Sequence, residues 1–332
     1  MKQSLLVFSG FLLIFSCSKS STTSSGGGGT TALSTAQRAQ ATTTTAQTNS
    51  SCTALGDFYW EIGDKTGILG SGAIGATYSG SSLLSIASAS KWIFGAYVIA
   101  RRNGILSAAD LQALQMGTGY VSFTSCTSLQ TVAGCFSSSP NNTQTAGDIN
   151  HFYYGVGHFQ DWGNSDSTVA TMGVNSLDTE FATYLGSDIM STNTMRFTSP
   201  QFAGGLAATP STYGVFLRKI LNSQLLMSAF LNYSPVCTLP GTCATAVYSP
   251  APLNWHYSVA HWIEDDATGD GAFSSAGAYG FYPWIDSTKT YYGILARQDT
   301  TDAGNPVLTS SYWMSGLCGQ KLRAAWVSGV AQ

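Results

Sequence analysis

Residues 86–92 read Ile-Ala-Ser-Ala-Ser-Lys-Trp and open a predicted helix. On a helix, side chains three residues apart lie on one face, so the Lys91 amine can reach the Ser88 hydroxyl. A serine hydroxyl needs a neighbouring base to act as a nucleophile, and a lysine in a partly desolvated pocket can be that base. The helix N-terminus also offers backbone N–H groups to a developing oxyanion. The alternative for this pattern alone is a solvated helix start with a capping serine.

The hydrophobic pattern on both sides of this stretch predicts strands at the two ends of a domain and helices between them. The nucleophile helix is expected from Ala89 to Arg102, since Asn103-Gly104 is a helix terminator. Strands are expected at 58–63, 67–72, 255–264, 278–286 and 291–297, and further helices at 177–185, 210–221 and 311–327. The fold class is therefore α+β, with an antiparallel sheet built from N- and C-terminal strands and an inserted helical subdomain.

The composition limits the classes of partner. The chain has 332 residues, of which 44% are hydrophobic and only 9% charged, with a formal net charge of −3. Such a chain can bury a large core, but it lacks the basic surface that grips nucleic acid. We therefore expect no nucleic-acid partner, and the low charge with abundant Gly, Ser and Thr is common in exported proteins.

The N-terminus predicts export to the bacterial cell envelope. Lys2 is followed by an apolar run from Leu5 to Phe15, too short to span a bilayer, which is typical of a signal peptide over residues 1–16. Residues 14–17, Ile-Phe-Ser-Cys, resemble a lipobox, in which Cys17 would carry the lipid. Residues 17–51 then predict a lipid-anchor cysteine and a disordered Ser/Thr/Gly linker, with membrane contact only through the anchor. The alternative is an ordinary signal peptide cleaved nearby.

The six cysteines after Cys17 predict disulfides rather than metal ligands, because their number is even and the chain is expected to be exported. Fifteen pairings are possible, and short loops close most easily. This favours Cys126 with Cys135 and Cys237 with Cys243, which leaves Cys52 for Cys318. No histidine sits in a zinc-binding spacing, so we expect neither a metal nor another cofactor.

Five blocks of sequence follow in order between about residues 56 and 327. They are 88–91 (Ser-Ala-Ser-Lys), 116–120 (Met-Gly-Thr-Gly-Tyr), 152–160 (Phe-Tyr-Tyr-Gly-Val-Gly-His-Phe-Gln), 204–209 (Gly-Gly-Leu-Ala-Ala-Thr) and 277–280 (Gly-Ala-Tyr-Gly), with Trp-Ile-Asp at 284–286. The series resembles the serine β-lactamase and penicillin-binding protein superfamily, especially its class C-related esterases and D-Ala peptidases. The resemblance implies a β-lactamase/transpeptidase-like domain over residues 52–330.

The same resemblance implies site residues and a mechanism. Ser88 would attack a carbonyl, Lys91 and Tyr154 would share the proton transfers, and water would hydrolyse the acyl-enzyme. The oxyanion hole would consist of the backbone N–H groups of Ser88 and Ala278. Tyr153 is the alternative to Tyr154, and the three aromatics at 152–154 could also simply pack in the core.

Two departures from the family pattern bear on the substrate. The second motif has Val156 where lactam-recognising members carry Asn, and the third motif, Ser275-Ala276-Gly277, lacks its opening Lys or His. Without these groups a substrate carboxylate is hard to bind, so a small uncharged ester or amide is the expected substrate. The alternatives are a D-Ala-D-Ala carboxypeptidase acting on cell-wall peptide, a weak β-lactamase, or a catalytically silent surface-binding lipoprotein of the same fold.

Three further features could take part in a site. His158 and His261 are flanked by aromatics, where a histidine is more often a hydrogen-bonded packing residue than a catalyst. The acidic residues 264–266 with Asp270 could bind calcium, but their spacing does not match an EF-hand loop, and a solvated turn is expected.

Overall fold

An eight-stranded antiparallel sheet organises the fold in a computed structural model that describes residues 32–301 and 307–332. From edge to edge its strands are β2 (Ile68–Ile74), β1 (Phe58–Gly63), β13 (Tyr292–Ala296), β12 (Tyr282–Ile285), β11 (Ala272–Ser274), β10 (Trp262–Glu264), β9 (His256–Tyr257) and β7 (Val236–Cys237). Strand β1 pairs with β13, so Tyr59 lies opposite Ala296. The sheet therefore joins the two ends of the domain, which confirms the expected α+β class with a helical insertion.

Two smaller sheets position the site. One has the order β3 (Leu84–Ser85), β6 (Leu206–Ala208) and β5 (Met195–Phe197), and the other pairs β4 (Phe152–Tyr153) with β8 (Ala246–Tyr248) in parallel. Strand β3 leads directly into the turn that carries Ser88, and β4 leads into Tyr154. Both candidate side chains therefore follow a paired strand, whose backbone hydrogen bonds limit the movement of the segment.

The helices surround one buried central helix. They are α1 (Thr35–Thr48), α2 (Ser50–Thr53), α3 (Ser90–Arg101), α4 (Ala108–Leu114), α5 (Val132–Phe136), α6 (Gly157–Ser165), α7 (Val174–Leu185), α8 (Pro210–Leu221) and α9 (Ser311–Ser328). In α3, Trp92, Phe94 and Tyr97 are at most 1% exposed. Burial of such a side chain contributes about 2 to 3 kcal/mol, so the core fixes the helix that begins beside Ser88.

The expected disordered linker is wrong for residues 33–51, because α1 and α2 form there. Ser34 caps α1 in a capping box with Gln37, and Arg38 donates to the Trp326 and Val327 carbonyls of α9, each at 2.7 Å. Small side chains of α1 are buried, including Ala46 and Thr45. Residues 33–51, which precede the expected start of the domain at Cys52, are thus part of the folded structure. The predicted signal peptide (1–16), Cys17 and linker residues 17–31 lie outside the described residues.

The cysteines pair as predicted, Cys52 with Cys318, Cys126 with Cys135 and Cys237 with Cys243. The first pair joins α2 to α9 and so ties the two ends of the domain together. These disulfides are consistent with an extracellular or periplasmic location. Within residues 32–301 and 307–332, no helix combines the length and the apolar character needed to cross a bilayer.

Candidate active site

Ser88 lies in a 3-10 turn, Ala87–Ala89, that leads into α3. The Lys91 Nζ donates to the Ser88 Oγ at 2.8 Å and to the Ala203 carbonyl at 3.0 Å. Ala87, immediately before the serine, has φ 42°, a left-handed conformation that costs roughly 1 kcal/mol or more for a residue with a side chain. The amine and hydroxyl that the sequence places three residues apart are thus in direct contact.

The Lys91 side chain is 1% exposed, and its amine is within 4 Å of no carboxylate in the described part of the chain. Removal of the ammonium group from water disfavours its charge, and this burial lowers the pKa of Lys91 from 10.5 to about 7. A substantial fraction of the lysine is therefore neutral near pH 7 and can accept a proton.

Tyr154 is the tyrosine that reaches Ser88. The Lys91 Nζ lies 4.6 Å from the centroid of the Tyr154 ring, and the ring stacks on Trp262 at 5.2 Å. Burial raises the pKa of Tyr154 to about 12, although hydrogen bonds with Ser88 and Trp262 act in the opposite direction. Tyr153 instead packs against Tyr248 and does not line the cavity at Ser88. Of the two tyrosines that the sequence left open, Tyr154 is therefore the one beside the Ser88–Lys91 pair.

The third motif lies against the turn of Ser88. A Cβ on Gly277 would lie 2.1 Å from the Ile86 carbonyl oxygen, so only glycine allows this approach. Its neighbour Ser275 donates its hydroxyl to the Ser88 carbonyl at 3.1 Å, while Ala276 and Ala278 line the cavity. Among the hydrogen bonds of the described residues, none is donated by the backbone amide of Ser88 or of Ala278. Both amides are available to a ligand oxygen.

A cavity of about 230 Å³ opens at Ser88. Its described lining includes one charged side chain, Lys91, and is dominated by aromatic rings. The aromatic lining residues are Tyr154, Tyr248, Trp255, Trp262, Tyr282, Tyr312 and Trp313. Val156 of the second motif also lines it, as does Gln320 of α9. The cavity therefore offers an apolar surface around a single hydroxyl–amine pair.

The two candidate histidines do not line this cavity. The Thr118 amide donates to His158 Nδ1 at 3.1 Å, which leaves Nε2 as the donor to the Tyr153 carbonyl at 2.8 Å. Burial lowers the pKa of His158 to about 4, so the ring is neutral and holds the segment before Tyr154 in place. His261 stacks on Trp92, and burial likewise lowers its pKa to about 4.

The acidic residues at 264–270 are engaged with protein partners. Glu264 is fully buried and paired with Arg323 at 2.7 Å, which corrects the expected solvated turn at this residue. Asp270 pairs with the same guanidinium at 2.6 Å, and Asp265 with His256 at 2.9 Å. No three His, Cys, Asp or Glu side chains of residues 32–301 and 307–332 converge on a metal-sized site.

Sequence reasoning missed several lining residues. Trp262 lies in β10 and Trp255 directly precedes β9, two strands that the sequence analysis predicted as one, so the sequence did not indicate that both side chains line the cavity. Tyr312, Gly316 and Gln320 have a sequence signal, since their spacing of four places them on one face of α9. That face lines the cavity.

The comparisons with known proteins agree with this architecture. No protein-family model matches the sequence, and the search of curated proteins gives no match. Among solved structures, a β-lactamase-type protein from Bacteroides dorei is 19% identical, with a TM-score of 0.61 over 82% of this chain and 93% of that one. FmtA from Staphylococcus aureus is 9% identical, with a TM-score of 0.59 over 88% and 87%. The D-amino acid amidase from Ochrobactrum anthropi is 9% identical, with a TM-score of 0.55 over 83% and 96%.

These likenesses concern the fold. The chain has a β-lactamase-like fold, as the order of its sequence blocks predicts.

Proposed function

We propose that this protein is an exported serine hydrolase that forms an acyl-enzyme on Ser88 and acts on a small uncharged ester or amide. The observation that carries the proposal is the 2.8 Å contact between Lys91 Nζ and Ser88 Oγ. Because burial lowers the pKa of Lys91 to about 7, the amine can be neutral and take the serine proton. The structural neighbour named as a D-amino acid amidase supports a hydrolase.

Acylation begins when neutral Lys91 accepts the Ser88 proton as Oγ bonds to the substrate carbonyl carbon. The carbonyl oxygen gains negative charge and accepts hydrogen bonds from the amides of Ser88 and Ala278. When the bond to the leaving alcohol or amine breaks, Tyr154 donates a proton to it and regains one from Lys91. With a pKa near 12 the tyrosine starts as a neutral hydroxyl, so it relays protons rather than acting as the resident base.

Deacylation repeats these steps with water. Water attacks the acyl carbonyl and gives its proton through Tyr154 to neutral Lys91, and the same two amides bind the oxyanion. The bond to Ser88 Oγ then breaks, and Lys91 returns the proton to the serine. The net reaction consumes one water and releases the acid.

The lining residues favour an uncharged substrate. Val156 has no side-chain amide that could bind a substrate, and the Ser275 hydroxyl donates to the Ser88 carbonyl. Among the described lining residues a carboxylate would thus find no cation besides Lys91, whose positive charge is disfavoured by burial. A D-Ala-D-Ala carboxypeptidase or a β-lactamase would need such a partner, so an ester or a neutral amide fits better.

The proposed location is the cell envelope, with a lipid on Cys17. The signal-peptide pattern and the three disulfides support export. Metabolic labelling of the full chain with an alkynyl fatty acid should tag the protein, and Cys17→Ala should abolish the tag. Labelling that survives in the variant would refute the anchor.

The decisive experiment is intact-mass analysis after exposure to a fluorophosphonate probe. One adduct should form on the protein and disappear in Ser88→Ala, while Lys91→Ala should slow its formation by at least about 100-fold. Absence of an adduct on folded protein would favour a catalytically silent binding lipoprotein instead.

A further inference from the structure

Gln320 stands out among the polar groups that line the cavity. The Tyr312 hydroxyl donates to the Pro250 carbonyl at 2.9 Å, and the Trp255 Nε1 to Asp266 at 2.6 Å. These side chains present mainly their rings to a ligand, because their polar atoms are used elsewhere. Gln320 is partly exposed, and one of its two polar atoms has no partner among the described residues.

The orientation of the Gln320 amide is set by its buried neighbour. Its Nε2 donates to Glu264 Oε2 at 3.1 Å, and that oxygen also accepts from Arg323. A carboxylate oxygen cannot donate, so the amide must present its nitrogen to Glu264. The side-chain carbonyl oxygen is then the free atom, and it can only accept a hydrogen bond.

The charged side chains behind Gln320 also favour a ligand group that donates a hydrogen bond. Arg323 is paired with both Glu264 and Asp270, so one guanidinium faces two carboxylates. Tyr282, which lines the cavity, donates its hydroxyl to Glu264. A surplus negative charge on this side attracts hydrogen-bond donors and repels a substrate carboxylate.

We propose that Gln320 is a specificity-determining residue whose side-chain carbonyl accepts a hydrogen bond from an N–H or O–H group of the substrate. The substrate class is then an aromatic or otherwise apolar ester or amide that carries a donor and no carboxylate. This reading of the substrate rests on the proposed hydrolase function, whereas the binding preference itself does not require turnover.

The test compares paired ligands on the full chain carrying Ser88→Ala, with either Gln or Leu at position 320. The ligands are the methyl esters of 4-hydroxyphenylacetic and 4-methoxyphenylacetic acid, with their propanoic and butanoic homologues to vary the reach of the donor. The ester group has no N–H or O–H, so the methoxy forms carry no hydrogen-bond donor. Binding is followed through tryptophan fluorescence, because Trp255, Trp262 and Trp313 line the cavity. Gln320→Met is the second variant and the fold control, since it keeps the length of the side chain.

With Gln320, the hydroxyl form should bind about tenfold more tightly than its methoxy partner at one or more chain lengths. Gln320→Leu and Gln320→Met should both remove this ratio and leave methoxy binding within about twofold. A ratio that persists in both variants, or equal binding of every pair to the Gln320 protein, would overturn the proposal, and so would preferential binding of the monomethyl ester of 4-carboxyphenylacetic acid, whose ring carboxylate is free.

Hydrolysis of the 4-nitrophenyl esters of the same acids by the Ser88 protein separates the two proposals. Turnover without the binding ratio refutes the role of Gln320 alone. A binding ratio without turnover supports Gln320 and refutes the hydrolase.

Discussion

Lys91 is a buried amine whose protonation state controls the proposed chemistry. Because only the neutral amine can take the Ser88 proton, kcat/KM for a neutral ester should rise with pH and level off above about pH 7. Below about pH 7, kcat/KM should fall by up to tenfold per pH unit. Stopped-flow hydrolysis of 4-nitrophenyl acetate from pH 5 to 9 measures the profile, and Lys91→Arg should be inactive throughout, since arginine keeps its proton. A flat profile would exclude Lys91 as the base.

The same burial couples the stability of the fold to pH. In the unfolded chain the Lys91 amine stays protonated up to about pH 10.5. In the folded protein the same amine loses its proton above about pH 7. The unfolded state therefore binds more protons between these values, and folding is favoured as pH rises, by at most about 1.4 kcal/mol per unit. Urea unfolding at pH 7 and 9 should show this gain relative to Lys91→Met. An equal change in both proteins would contradict the shift.

His158 acts on the site through the backbone before Tyr154. His158→Phe removes both hydrogen bonds, to Thr118 and Tyr153, and should lower kcat about tenfold or more with little change in KM. His158→Gln can both donate and accept, so it should recover much of the rate. The pH profile should keep its midpoint in both variants, because the neutral ring does not titrate near 7. A shifted midpoint would show that His158 exchanges protons itself.

At the scale of elements, the third motif can approach the turn of Ser88 only because Gly277 has no side chain. Gly277→Ala would force a Cβ against the Ile86 carbonyl and so move the Ala278 amide away from Ser88. We expect kcat/KM to fall at least about 100-fold, as for loss of an oxyanion donor. Gly67→Ala is the matched control, since nothing lies within 4 Å of its added Cβ. Equal activity of both variants would refute this role.

Elements with strong local signals were predictable. Helix α8 begins and ends as expected, at Pro210 and Leu221, because Thr209 is an N-cap followed by proline. The strand expected at 255–264 is instead two strands, since Ala260 adopts φ 62° and turns the chain. Helix α1 was missed because its threonines have low helix propensity and its packing partner α9 lies almost 300 residues away.

The site also contains residues that the sequence predicts and residues that it does not. Ser88 and Lys91 are three residues apart, so helix geometry alone brings them together. The approach of Tyr154 required the family resemblance, because β4 and α3 are distant in sequence. For Gln320 the sequence signal was only its spacing along α9, since its orientation depends on Glu264, which only the packing of β10 near α9 reveals.

At the scale of the whole molecule, the disulfide Cys52–Cys318 closes a span of 266 residues, whereas Cys126–Cys135 closes 9. The entropy of the unfolded chain predicts about 6 kcal/mol from the long closure and about 3 kcal/mol from the short one. Replacing Cys52 and Cys318 together by serine should therefore lower the free energy of unfolding more than the same change at Cys126 and Cys135. Urea titration of the two double variants gives the comparison, and the reverse order would show that strain, rather than chain entropy, dominates.

The packing of α1 against α9 has a consequence for the order of the chain. Leu33 lies against Gly329, and the Gln332 amide donates to Thr45 at 3.0 Å, so both ends of the described domain lie along α1, residue 33 at its beginning and residue 332 near its end. A peptide of roughly eight residues could span the length of this helix and join residue 332 to residue 33, and the chain could be reopened at the exposed turn of residues 64–66 without separating Ser88 from Lys91. The architecture is therefore compatible with circular permutation, and the order of its elements along the gene is one of several that could give the same pocket.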